Sequence, residues 1–125
     1  MIDMDFDEHL DIARDYLASA LDNYKKGRSP VVASDCTKVV GQLVEADADG
    51  KEGIDLRSHS KEFNYLSKNH PEMYKKYDEI FDIYNSLGYE GTNGKRAHKA
   101  MRLMKEIIIY FEKEWNVEIL GDHDE

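Results

Sequence analysis

The sequence predicts an all-α fold, an antiparallel up-down bundle of four or five helices. Three observations predict it. Apolar residues recur at steps of three and four along most of the chain, the period of a helix that buries one face. Only two prolines, Pro30 and Pro71, interrupt the chain, and both stand where a helix would begin. No stretch alternates polar and apolar residues as a half-buried strand would.

The first helix is expected from about Asp5 to Lys26. Phe6, Leu10, Ala13, Leu17, Ala20 and Tyr24 fall on one face. Acidic residues crowd its start and Lys25 and Lys26 its end, as the helix dipole prefers, and Gly27 suits the position after the end. Ser29 caps a second helix with Pro30 in its first turn, and Val32, Cys36, Val39, Val40 and Leu43 form its apolar face. Asp49-Gly50 predicts its end near Ala48, followed by a charged loop to about residue 58. A short third helix spans about Ser60 to Asn69, carries Phe63 and Leu66, and is capped by Ser58 or Ser60. Pro71 opens a fourth helix reaching about Leu87, with a stripe of Met73 or Tyr74, Tyr77, Ile80, Phe81, Tyr84 and Leu87. Gly88 ends it, and Thr92 or Asn93 is the expected cap of the fifth helix, about Lys95 to Trp115. There Ala97, Ala100, Met104, Ile107, Ile108 and Phe111 face inward, flanked by Leu103 and Tyr110.

A chain of 125 residues is expected to be one domain, 1–125, with 116–125 as a frayed acidic tail. Its formal charge of −9 repels phosphate backbones, so bulk nucleic-acid binding is not expected. Cys36 is the lone cysteine, which excludes an internal disulfide and fits a reducing compartment. The acidic start lacks the pattern of a signal peptide, and the longest apolar run, Ile107–Ile109 extended by Tyr110 and Phe111, is far short of a membrane span. A soluble, cytoplasmic protein is the expectation.

Most motifs that carry chemistry dissolve on inspection. Glu45-x-Asp47-x-Asp49-Gly50 resembles the opening of a calcium loop, but Leu56 stands where the closing bidentate glutamate belongs. The reading is therefore a charged helix end followed by a turn. His9, His59, His70, His98 and His123 make no HExxH pair and no helical Glu-x-x-His, so no metal site, catalytic residue or cofactor is expected. Asp5 and His9 read as a weak surface pair, His59 as a cap or turn residue, and Cys36 as core.

One feature points to binding. Lys95, Lys99 and Arg102 share one face of the fifth helix, flanked by Arg96 and His98 and extended by Lys105. With Asn85 and Tyr89 from the preceding break, they are expected to line a shallow anion-binding groove near a helix N-terminus. The competing reading is a solvated face paired with neighbouring acids. The tyrosine-rich fourth helix (Tyr74, Tyr77, Phe81, Tyr84) predicts a two-fold homodimer, because aromatic residues concentrate at interfaces.

The order of elements resembles the HEPN superfamily over about residues 7 to 115. The likeness rests on Leu21-Asp22-Asn23-Tyr24-Lys25-Lys26-Gly27, Val32-Ala33-Ser34-Asp35-Cys36, Ser58-His59-Ser60, Tyr84-Asn85-Ser86-Leu87-Gly88-Tyr89 and the final amphipathic helix. The resemblance implies a helical bundle that dimerises and serves as a ribonuclease or as a non-catalytic partner of a nucleotidyltransferase. Ribonuclease members carry Arg-x4–6-His near the end of the penultimate helix. Here no arginine has a histidine at that spacing, so the activity is not carried over. The expected function is a non-enzymatic, homodimeric binding or accessory module for a nucleotide or a nucleotidyltransferase-type partner. The alternatives are an enzyme using Tyr84, Asn85, Tyr89, Lys99 and Arg102, and a purely structural or interaction protein with no small-molecule site.

Overall fold

Asp5 sets the first helix. Its carboxylate accepts from the Glu8 amide at 2.9 Å while Glu8 reaches back to the Asp5 amide, so two otherwise orphaned donors are satisfied reciprocally. In the computed structural model, which describes residues 5–86 and 94–121, the helices are α1 (Phe6–Lys25), α2 (Ser29–Glu52), α3 (His59–Asn69), α4 (Pro71–Ser86) and α5 (Lys95–Trp115). No strand occurs among the described residues, and no helix there is long and apolar enough to cross a membrane.

Side-chain pairs give the directions. His9 meets Gln42 and Asp49 while Asn23 meets Asp35, so α1 and α2 run antiparallel. Cys36 meets Met101 and Asp47 meets Trp115, so α2 and α5 run parallel. Lys76 pairs with Glu106 and Glu79 with Lys99, so α4 runs against α5. The long helices α1, α2, α4 and α5 therefore alternate up and down. The short α3 is inserted between α2 and α4 and packs on both. Helix α2 is buried almost all round: Val32, Cys36, Val39, Val40 and Leu43 face the core as expected, and Ala33, Val44, Ala46 and Ala48 are buried as well. The inward residues of α5 are all buried, with Met101 and Leu103 among them.

Several boundaries differ from expectation, each for a local reason. Helix α2 passes through Asp49-Gly50 and ends at Gly53, whose φ of 64° is the left-handed conformation that glycine adopts without strain. Gly50 has another use: the Phe6 ring lies where a side chain would project. Helix α2 also starts one residue early, at Ser29, with Arg28 in the cap position and no side-chain capping bond. The cap of α5 is Gly94; Thr92 and Asn93, like Leu87, Gly88 and Tyr89, lie outside the described residues.

The segment expected to fray after Trp115 does not do so up to residue 121. Asn116 ends α5 with a positive φ, and the chain turns back so that Ile119 and Leu120 are buried. The Glu112 carboxylate accepts both of their amides, at 2.6 and 2.8 Å, and Arg14 donates to the Glu118 carbonyl. Apolar Ile119 and Leu120 outweigh the acidic neighbours that suggested a tail.

Candidate functional site

The basic face of α5 exists, and much of it is already partnered. Lys99 Nζ lies 2.5 Å from the Glu79 carboxylate of α4, and Arg102 lies 2.9 Å from Glu106. Glu106 also receives Lys76 at 2.7 Å. The Lys76 and Arg102 hydrogen bonds hold its carboxyl below the usual range. Arg96 bonds the Ser86 hydroxyl. Lys95 is exposed beside Gly94, His98 and Tyr24, which line a shallow recess of about 320 Å³, and the Tyr24 hydroxyl meets His98 Nδ1 at 2.9 Å. Asn85 is exposed at the end of α4, the same end of the bundle, and Tyr89 lies outside the described residues. The structure thus groups Lys95 with His98 and Tyr24, and commits Lys99 and Arg102 to acids along the α4–α5 seam.

The acidic run of α2 is neither a calcium loop nor a solvated helix end. Glu45, Asp47 and Asp49 all lie inside the helix, and Asp47 is fully buried. Asp47 accepts hydrogen bonds from the Tyr65 hydroxyl at 2.7 Å, the Trp115 indole at 2.8 Å and His70 Nε2 at 2.7 Å. Burial alone would raise its pKa; the bonds from Trp115, His70 and Tyr65 outweigh that and hold it below the ordinary value. His70 Nδ1 in turn meets the Tyr110 hydroxyl. The arrangement ties α2, the α3–α4 junction and α5 to one carboxylate. Among the described residues no cluster of three His, Cys, Asp or Glu side chains is placed to hold a metal ion.

Two residues earlier on α2, about half a turn, Glu45 faces the other way. Its carboxyl accepts the Leu56 amide at 3.2 Å and the Arg57 amide at 3.1 Å. Glu62 also accepts the Tyr77 hydroxyl at 2.8 Å, with His59 Nδ1 at 3.1 Å. Burial and the neighbouring Glu62 push Glu45 up to about 7, and burial raises Glu62 too. His9 closes the layer from α1, with Nδ1 2.8 Å from Gln42 and Nε2 3.3 Å from Asp49. It does not pair with Asp5, whose carboxylate is used in the cap.

The α3–α4 outer face carries a different pattern. Phe63 stacks on Tyr77 and meets Tyr74 and Phe81 edge-on, and Phe81 meets Tyr84. Tyr77 is buried, Tyr74 and Phe81 are half-buried, and Tyr84 is 42% exposed. The inward stripe of α4 is Met73, Tyr77, Ile80 and Ile83, which leaves Tyr84 outside it. The exposed charges of the two helices are sorted, although Glu79 is turned to Lys99 of α5. Lys61 and Lys68 are exposed on α3, whose one acid, Glu62, is buried. On α4 the exposed charges are Glu72, Asp78, Glu79 and Asp82 against Lys75. A recess of about 300 Å³ opens between Lys61, Phe63, Asn64 and Tyr74.

Sequence reasoning missed the buried acids, read His9 as half of a surface pair and gave His70 no role. The available signal was the flanking: Val44-Glu45-Ala46-Asp47-Ala48 sets acids among small apolar residues in a helix with no polar face broad enough to expose them. No protein-family model, curated protein or solved structure matches the chain.

Proposed function

We propose that this chain is a non-enzymatic, HEPN-like helical bundle that acts as a homodimeric binding or accessory module and pairs through its α3–α4 face. The observation that carries the reading is the sorted charge on either side of the Phe63–Tyr74–Phe81 seam. A two-fold axis along that seam lays the basic α3 of one copy on the acidic α4 of the other, so the complementary contacts form twice. Aromatic side chains at the centre and charges at the rim are the usual anatomy of a specific interface. A second copy fits better than nucleic acid, which the acidic α4 repels.

A binding role also agrees with how the reactive side chains are used. Asp47, His70, Tyr65 and Trp115 are spent on one another inside the bundle. Lys99 and Arg102 are held by acids, so an incoming phosphate would have to displace Glu79 and Glu106 first. This favours a protein partner, of nucleotidyltransferase type as the HEPN likeness implies, over a free nucleotide.

The test is a charge swap. Wild type is expected to be a dimer in light scattering at tens of micromolar, and Lys61→Glu/Lys68→Glu a monomer. Mixing that variant with Asp78→Lys/Asp82→Lys is expected to restore a dimer that neither forms alone. A monomeric wild type overturns the reading. Ribonuclease activity that survives stringent purification and disappears on a point mutation overturns its non-enzymatic half.

A further inference from the structure

Four of the five histidines lie among the described residues, and their surroundings sort them. His70 is buried with both ring nitrogens engaged, Nε2 on Asp47 and Nδ1 on Tyr110. His9 is buried between Gln42 and Asp49. His59 and His98 reach the surface, and their Nδ1 atoms are held by different groups. His98 meets the Tyr24 hydroxyl at 2.9 Å, whereas His59 meets the Glu62 carboxyl at 3.1 Å and the Tyr77 hydroxyl at 3.0 Å.

The hydrogens around His59 can be placed by counting. Glu62 and Tyr77 are both buried, and the Tyr77 hydroxyl lies 2.8 Å from Glu62 Oε1. That is its closest acceptor, the Thr37 carbonyl being 3.5 Å away, so its single hydrogen goes to the Glu62 carboxylate. Two oxygens with no hydrogen to spare then face His59 Nδ1, so Nδ1 is the nitrogen that carries one. In the neutral ring this leaves Nε2 with a lone pair. The ring is held edge-on against Phe81, centroids 5.0 Å apart, and the side chain is 51% exposed. A ring fixed by its inner nitrogen and by Phe81 turns its outer nitrogen to water.

A carboxylate behind an imidazole does two things. It fixes which nitrogen carries the hydrogen, and it stabilises the positive charge that the ring acquires when the other nitrogen forms a bond. The position also suits an anion. His59 is the first residue of α3, with Ser58 as its cap. The Ser58 hydroxyl takes the Lys61 amide and the Ser58 carbonyl takes the Glu62 amide, while the His59 and Ser60 amides have no acceptor within the helix. Lys61 is exposed on the same turn. These groups favour a negatively charged substituent on Nε2 over a neutral one.

We propose that His59 is a phosphoryl-acceptor site, modified on Nε2 by a phosphoramidate donor and backed by the Glu62 carboxylate. The Nε2 lone pair forms the new bond to phosphorus. The donor's own P–N bond breaks, and its nitrogen, already protonated, leaves as the neutral amine. Nδ1 keeps its hydrogen on Glu62, so no other proton moves, and the new positive charge of the ring faces a carboxylate. The step asks for no catalytic residue from this chain, so an acceptor role adds to a binding module. The site lies within one chain, so it stands whether or not the chain dimerises.

Inorganic phosphoramidate is the probe, with phosphorus NMR and mass-spectrometric mapping as the readouts. His98 is the reference inside the same molecule, since it is also exposed but meets a phenol in place of a carboxylate. His59 is expected to be labelled on Nε2 at least about tenfold faster than His98, the scale on which such backing groups act. This ratio needs no variant. Glu62→Gln keeps an oxygen for the Nδ1 hydrogen but removes the charge, so it is expected to bring His59 down to the His98 rate and leave His98 unchanged. Circular dichroism checks that the variant keeps its helices. Equal labelling of His59 and His98 in wild type, attachment of the phosphoryl group to His59 Nδ1, or an unchanged His59 rate in folded Glu62→Gln overturns the proposal.

Discussion

Asp47 and His70 lie 2.7 Å apart, oxygen to ring nitrogen, in the interior of the bundle, each less than a tenth exposed. Tyr65, Trp115 and, at 3.4 Å, the Lys51 ammonium also meet Asp47. Removing the acceptor strands the buried Tyr65 and His70 donors in the interior. Asp47→Ala is therefore expected to cost about 3–5 kcal/mol, and Asp47→Asn, which retains one acceptor oxygen, about 1–2 kcal/mol. Urea unfolding at neutral pH measures both. An alanine variant within about 1 kcal/mol of wild type would show that the shell is not a fastener.

Gly41→Ala inverts the usual helix rule. In an exposed helix interior, alanine gains about 1 kcal/mol over glycine. Here the added carbon meets Glu62 Oε1 at 3.0 Å and the Tyr77 hydroxyl at 3.2 Å, and both atoms belong to side chains fixed by their hydrogen bonds. A net loss of about 1–3 kcal/mol is expected, relieved in part in a Gly41→Ala/Glu62→Ala double variant. A stabilised single variant would show that the Glu62 carboxyl gives way freely.

Stability is expected to peak in mildly acidic solution. Glu45 and Glu62 have folded-state pKa values above the ordinary 4.5, so their contribution is fully present below that value and is lost as pH rises, for Glu45 through about 7. Asp47 is lowered from 3.8, so its contribution is present above that value and is lost as pH falls. Chemical denaturation should therefore place the maximum near about pH 5, with a fall of about 1–2 kcal/mol by about pH 8. A stability that rises steadily to pH 8 contradicts this sign.

The exposed pairs on α5 should matter little. Lys99→Ala/Arg102→Ala removes the bridges to Glu79 and Glu106 and is expected to cost under about 1 kcal/mol, less at high salt. Titration of a nucleotide or short oligonucleotide at low salt is expected to give the same weak response with and without these residues. Binding by wild type that the double variant loses would restore the anion groove expected from the sequence.

Much of the fold was legible because α1, α4 and α5 each bury one face, and Leu10-Ala13-Leu17 or Ala100-Met104-Ile107 reads as a stripe wherever it stands. The polar interior was not. Periodicity marks where apolar residues go, but says nothing about Asp47 meeting Trp115, 68 positions away in the chain. Gly50 read as a stop because a turn and a close contact with Phe6 ask for the same residue. Tyr74, Phe81 and Tyr84 lie outside the buried stripe of α4, but the basic character of the exposed side of α3 depends on Glu62 turning inward, which no local pattern announces.

The dimer through α3 and α4 is the central claim, and the mixing experiment tests it most directly. Lys61→Glu/Lys68→Glu and Asp78→Lys/Asp82→Lys are each purified and run alone, then combined in equal amounts and analysed by light scattering. The account predicts two monomers that together give a particle of twice the mass. Two monomers that stay monomers when mixed, or variants that remain dimers on their own, would contradict it.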